Sequence, residues 1–325
     1  MSAATWLLAD VGGTNIRFAL TGRDTAGHDT GRLFMPLRFA CADYAGLAEA
    51  TIAYLTQTGA RPDGACVAVA APVTGDHISL TNSAWSFSIA DTARRFGLAP
   101  LLVVNDFQAL AHALPLLGPD DVTTIGPPIA VARAAKAALG PGTGFGVAGL
   151  VPDGAHWVAV TSEGGHMSFA PSDEREEAVI AYLRPRFGGR VSLDRLLCGS
   201  GLVAIFEALS ALGGQDAVPP GAAEITARGL AGSCPTSRAT LEFFCAALGS
   251  VAGDLALVFA ALGGVYVGGG IAPRLLPILT NGTFRQRFEA KGREADLIVG
   301  VPSCVITRET ATLNGAAQIM ADHWR

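Results

Sequence analysis

The sequence predicts an α/β protein built from two related halves. Two observations carry this: short apolar, β-type runs alternate with segments of helical spacing along the chain, and a hairpin tipped by glycine and threonine occurs twice, near residues 10–15 and near 141–145. Half of the 325 residues are hydrophobic, enough for a substantial core in one large or two ordinary domains.

The first element is TWLLADVGGTNIRFALTG, residues 5–22, two apolar runs joined through Gly12-Gly13 and read as a hairpin with a polar tip. CVAVAAPV (66–73) reads as a buried strand, and DHISLTN (76–82) as a shorter one after a turn at Gly75. In SFSIADTARRFG, Ser88 stands where an N-cap belongs, Asp91 follows three residues on, and Gly97 closes the last turn. LLVV (101–104) is too short and too β-branched for a helix, whereas FQALAHALPLL (107–117) has helical spacing. Asn105 and Asp106 therefore fall where a strand ends and a helix begins, the place where open α/β sheets bind ligands.

Residues 118–138, with GPDDV and Pro127-Pro128, read as a connecting excursion. AALGPGTGFGVAGLV (137–151) repeats the plan of the first hairpin, and VAVTSEGGHMSF sets Glu163 and His166 on either side of Gly164-Gly165. Amphipathic helices are expected near 173–187 and 193–212, a helical region near 237–262, then the strand VYV, a Gly268–Gly270 loop and a short final helix. The uncharged stretch from Leu255 to Ala272 holds five glycines in its second half, so it reads as buried helix, turn, strand and loop rather than a membrane span.

Charge and cysteine usage narrow the partners. With a net charge of −5 and no basic block interleaved with aromatics, nucleic acid is not an expected partner. Six scattered cysteines without a CxxC pair, and an N-terminus without a basic region before Asp10, point to reduced thiols in the cytoplasm and to no membrane attachment.

Each candidate site residue has a structural reading beside a chemical one. DVGGTN is either a tight turn or a phosphate cradle, in which glycine amides approach an anion, Thr14 adds a hydroxyl and Asp10 holds a metal through water. Gly144, Gly146 and Gly149 match GxGxxG, yet a strand-like VAGLV follows where a dinucleotide fold needs a helix, and no Walker lysine occurs. Asp106 is either a helix cap or a reactive carboxylate; Glu163 and His166 are turn residues or ligands for a polyhydroxyl compound. Zinc does not fit His166, which has no second His or Cys at ligand spacing.

LADVGGTNIRFAL, LTNSAWSFSI, VVNDFQALAHALP, GPGTGFGVA, EGGHMSFAP, CGSGL and GGVYVGGGIAPRLL, in this order and over nearly the whole chain, resemble the bacterial glucokinases of the actin-like, hexokinase-like ATPase superfamily. The resemblance implies two ribonuclease-H-like domains flanking a cleft: a small one over residues 1–116, to which a C-terminal helix near 308–325 returns, and a large one over 117–307. It implies a homodimer that binds glucose and Mg-ATP and makes glucose 6-phosphate. By position, Asn105, Asp106, Glu163, His166 and Asp194 would contact the sugar, with Asp106 as base. Asp10, Gly12, Gly13, Thr14, Gly142 and Thr143 would surround the phosphates and Mg²⁺, and Gly268, Gly269 and Gly270 would lie by the adenosine.

Two positions depart from the family pattern: Asp194 replaces a glutamate, and Ala260-Ala261 replaces a Gly-Thr pair. Asp194 also has a plain reading as an acidic residue in the first turn of a helix. The alternatives are a kinase for another hexose, for which the zinc motif usual in the sister group is missing, and a non-catalytic sugar sensor, whose usual helix-turn-helix does not precede the first hairpin.

Overall fold

The computed structural model describes residues 5–22, 31–80, 83–128, 131, 133–215 and 218–323. Thr81 and Asn82 of the LTNSAW motif, and residues 324–325 of the C-terminal segment, lie outside them. Two compact units form: Met1–Leu117, Trp157–Thr161 and Arg308–Arg325 in the first, Gly118–His156 and Ser162–Thr307 in the second.

In the first unit, β1 (Thr5–Val11), β2 (Asn15–Gly22) and β3 (Phe34–Ala40) make an antiparallel meander, followed by α1 (Leu47–Thr58), β4 (Gly64–Val69), the small ribbon β5 (His77–Ser79) and β6 (Ser86–Ser88), α2 (Ile89–Phe96), β7 (Leu101–Asn105) and α3 (Asp106–Ala113). The sheet order is β3-β2-β1-β4-β7, with β1, β4 and β7 parallel. Alternation along β1 sends Leu7, Ala9 and Val11 to the face that holds Tyr54 of α1. Trp6 and Leu8 face Leu313, Ala316, Ala317 and Met320 of the C-terminal helix Ala311–His323. That helix also packs on α3 so closely that a Cβ on Gly315 would lie 1.7 Å from the Ala109 carbonyl oxygen.

The expected helix after residue 88 forms as predicted: the Ser88 side chain accepts from Asp91 N–H at 3.1 Å, and Gly97 ends it in the left-handed region. Strand β4 is shorter than the run CVAVAAPV, since it stops at Val69 before the Pro72 turn.

The second unit follows the same plan. It contains β8 (Val122–Ile125), β9 (Lys136–Pro141), β10 (Phe145–Asp153), α4 (Glu174–Leu183), α5 (Leu193–Leu196), α6 (Gly199–Leu212), α7 (Ala222–Leu230), α8 (Pro235–Val258) and β12 (Val265–Val267), while β11 (His156–Ser162), most of which falls to the first unit, lies between β10 and α4 in the chain. The short helices α9 (Leu276–Leu279), α10 (Thr283–Glu289) and α11 (Ala295–Val299) precede β13 (Ser303–Ile306). The order is β11-β10-β9-β12-β13-β8, again an antiparallel hairpin beside parallel strands. Among the described residues α8 alone is long and apolar enough to cross a membrane, and 72% of its apolar window is buried in the core.

Three expectations are corrected. The excursion 118–138 contains β8, which pairs antiparallel with β13. Near 193–212 there are two helices, because Cys198 is extended and its sulfur caps α6 by accepting from Gly201 N–H at 3.3 Å. Near 173–187 the helix ends at Leu183, and Pro185 starts a separate 3₁₀ turn.

Candidate active site

In the first unit the polar candidates gather along one edge of the sheet. Because β1, β4 and β7 are parallel and in register, with Asp10 opposite Ala68 and Val69 opposite Asn105, the C-terminal ends of the strands share that edge. Asp10 and Asn105 lie two strands apart, about 10 Å at the usual strand spacing. Asn105 is the N-cap of α3: its Oδ1 accepts from Phe107 N–H at 2.9 Å and Gln108 N–H at 3.3 Å, while Nδ2 donates to Ala71 O at 3.4 Å. Asp106 is the first residue of the helix, and its Oδ1 accepts from Phe107 N–H at 2.9 Å. Capping, the structural reading of Asp106, thus belongs to Asn105. An anionic side chain at that position is favoured by the positive helix end.

The tip of the first hairpin is held by its own backbone and by the residues after β3. Gly12 N–H donates to Asn15 O at 3.0 Å, Cys41 N–H to Thr14 O at 2.9 Å, and the Cys41 thiol to Gly12 O at 3.4 Å. Asp10 faces Arg17 across the hairpin, with Nη1 at 3.3 Å from Oδ2. The Asp10 side chain is only 14% exposed, and burial raises its carboxyl above the ordinary value against the opposing pull of Arg17. Arg17 escaped the sequence reading, because a Gly12-Gly13 tip would set Asp10 opposite Asn15, whereas the observed tip is Gly13-Thr14, which pairs Gly12 with Asn15 and Asp10 with Arg17.

In the second unit the hairpin tip Gly142-Thr143-Gly144 is closed by Gly142 N–H to Gly144 O at 2.8 Å. The first N–H of α6, from Gly199, donates to Gly142 O at 3.1 Å, and Phe145 N–H donates to Asp194 Oδ1 at 2.8 Å. The Gly268–Gly270 loop is fastened to the same strand by Gly268 N–H to Leu139 O at 2.7 Å. Hence the second hairpin, the loop after β12 and the starts of α5 and α6 form one cluster.

The Glu163 turn belongs to that cluster. Gly164–His166 is a 3₁₀ turn, tied down by Arg190 to His166 O at 2.6 Å and by Leu193 N–H to Met167 O at 2.9 Å. Gly165 lies so near β10 that a Cβ there would sit 1.8 Å from Phe145 O, so only glycine fits. Glu163 and His166 side chains are 58% and 57% exposed, and Oε2 of the first stands 3.9 Å from Nε2 of the second, too far for a hydrogen bond. They are presented to solvent by a rigid base, as ligand-binding side chains on a scaffold are.

A family model described as Glucokinase matches residues 7–323. The chain belongs to the glucokinase family. Curated glucokinases from Paramagnetospirillum magneticum and Chromobacterium violaceum are 44% and 46% identical to it, over 97% and 98% of this chain and 97% and 89% of theirs. The solved glucokinase from an Antarctic psychrotroph aligns with a TM-score of 0.84 at 37% identity, covering 98% of this chain and 99% of that one. A ROK family glucokinase from Streptomyces griseus, solved with glucose and AMPPNP, shares the fold at a TM-score of 0.65 and 19% identity, over 98% of this chain and 99% of its own. The α/β architecture of this glucokinase-family chain is accordingly the actin-like ATPase fold of the sugar kinases.

Both family departures have visible structural consequences. Asp194 has one carboxylate oxygen engaged by a backbone amide 49 residues away, a contact no local pattern reveals. Ala260 adopts φ 45° just past the C-cap of α8, a conformation natural to glycine and strained for alanine.

Proposed function

We propose that this protein is an ATP-dependent glucokinase, transferring the ATP γ-phosphoryl group to the C6 hydroxyl of glucose. The observation that supports the chemistry most is the placement of Asp106 at the start of α3: Asn105 is the N-cap, and the Asp106 carboxylate follows directly where the parallel strand β7 ends. The C6 hydroxyl is a poor nucleophile until its proton is accepted, and Asp106 takes that proton. Asn105, Glu163 and His166 hold the sugar hydroxyls. The amides of the two hairpin tips, with the Thr14 and Thr143 hydroxyls, receive the phosphates, and the Gly268–Gly270 loop receives the adenosine.

Asp10 fits magnesium in a particular way. Among the described residues no group of three or more His, Cys, Asp or Glu side chains is placed to hold a metal. A single carboxylate suits Mg²⁺, which keeps most of its water and takes further ligands from substrate phosphates. Bound with ATP, the ion supplies positive charge against the transferring phosphoryl group. Asp10 orients it through water.

The six cysteines are all free thiols, which suits a reducing compartment, and the proposal places the enzyme in the cytoplasm as a homodimer. A coupled assay of ATP consumption against a panel of hexoses tests the function. Turnover should be highest with glucose and absent with 6-deoxyglucose. Turnover confined to another hexose would reassign the substrate, and binding of sugar without turnover of any would indicate a sensor.

A further inference from the structure

The turn that presents Glu163 and His166 is fastened differently on its two sides. On the Glu163 side the ties lead to β10: the Ser162 hydroxyl donates to Val147 O at 3.0 Å and accepts from Gly164 N–H at 3.2 Å, and Gly165 packs against Phe145 O. After His166 the chain runs antiparallel to the residues that enter α5. Phe169 N–H donates to Val191 O at 3.0 Å, Leu193 N–H donates to Met167 O at 2.9 Å, and Ser168 bridges Ser192. Between the two anchorages lies the His166–Met167 peptide, which is pinned at both ends: its N–H donates to Gly164 O at 3.1 Å, and its carbonyl accepts from Arg190 Nη1 at 2.6 Å. Gly188 and Gly189, with φ of 66° and 91°, lead the chain out of the 3₁₀ turn Pro185–Phe187 and deliver Arg190 to this place. The Arg190 guanidinium pairs with no carboxylate among the described residues.

We infer that Arg190 is a positioning residue for the sugar side of the reaction: by holding the His166 carbonyl it fixes the direction in which the His166 imidazole is presented. In the glucokinase reading, on which this rests, that imidazole meets a sugar hydroxyl. A hydrogen bond from a guanidinium is charge-assisted and stronger than a neutral one. Without it the His166–Met167 peptide keeps only its tie to Gly164 and can tilt, and the direction of the imidazole tilts with it. Glu163, held from the β10 side, keeps its place. The effect of Arg190 therefore passes through His166.

The test combines Arg190→Ala, Arg190→Lys and His166→Ala. Arg190→Ala should raise KM for glucose about fivefold, the upper range for an exposed charged contact, and leave KM for ATP within about twofold of wild type. Arg190→Lys, whose ammonium still donates to a carbonyl, should return KM for glucose to within about twofold of wild type. In a His166→Ala background Arg190→Ala should add almost nothing, because two residues acting through one contact are not additive. Glucose titration by calorimetry without nucleotide should give the same ranking. The His166 ring-proton resonance, identified by its absence from the His166→Ala spectrum, reads the placement with no sugar present: it should move in Arg190→Ala and return in Arg190→Lys. An Arg190→Ala effect of full size without His166, an equal rise in both KM values, or an unmoved resonance overturns the inference. If the wild type neither binds nor phosphorylates glucose, the functional reading fails, and the resonance alone decides whether Arg190 places the ring. All variants should melt with the wild type; early melting of Arg190→Ala with intact glucose binding would make the contact structural only and overturn its role toward the sugar.

Discussion

Asp106 and Ala260 show what single positions do here. Replacing Asp106 with Asn preserves the side-chain shape and removes the basicity, so the rate of phosphoryl transfer should fall about 10²–10⁴-fold. Glucose affinity by calorimetry should stay near wild type, because Asn105 still caps α3. Turnover within a fewfold of wild type would remove Asp106 as the base. Ala260 pays the left-handed backbone penalty that glycine avoids, about 1 kcal/mol. Ala260→Gly should therefore stabilise the protein by up to that amount, read as a higher denaturation midpoint at unchanged slope. An unchanged or lower midpoint would mean the α8 exit has relieved the strain elsewhere. The sequence shows both residues plainly, but it does not show which of Asn105 and Asp106 is the cap; that depends on backbone angles at one residue. Asp194 is harder still, since its partner Phe145 is close only in space.

At the scale of elements, the most exacting contact described is that between α3 and the C-terminal helix, where Gly315 meets Ala109. A methyl group at 315 cannot coexist with a carbonyl oxygen at 1.7 Å, so the helices must separate. Alanine gains about 1 kcal/mol of helix propensity over glycine, whereas overpacking costs about 1–3 kcal/mol and here meets rigid backbone. The clash should win. Gly315→Ala should lower the melting temperature and, because α3 carries Asp106 at its start, lower kcat more than it raises KM for glucose; a stabilised variant with normal kcat would show that the helices can slide apart freely. Elements with strong local signals were legible: the two hairpins tipped by glycine and threonine, α2 with Ser88 and Gly97, and the strand-to-helix switch at Asn105. β8 was hidden because four residues between an acidic pair and a Pro-Pro turn carry too little pattern, and β13, its partner, lies far along the chain. The break before α6 was hidden because cysteine is an unusual cap.

For the whole molecule, the repeated sheet plan explains why two similar hairpins occur in one chain: each follows a strand, β1 or β9, that has an antiparallel hairpin partner on one side and a parallel strand on the other, and turns its glycine tip to the end where the parallel strands terminate. The fold class was legible from this repetition, and the family from the order of the motifs. What the order of motifs does not give is how each polar residue is fastened, which decides between contact and positioning. The central claim is the transfer of phosphate from ATP to C6 of glucose. Its most direct test is product analysis of the wild-type protein with glucose, ATP and Mg²⁺ by phosphorus NMR. The account predicts glucose 6-phosphate and ADP in equal amounts, with no inorganic phosphate beyond the glucose-free control. Phosphate on another carbon, or ADP matched by free phosphate, would contradict it.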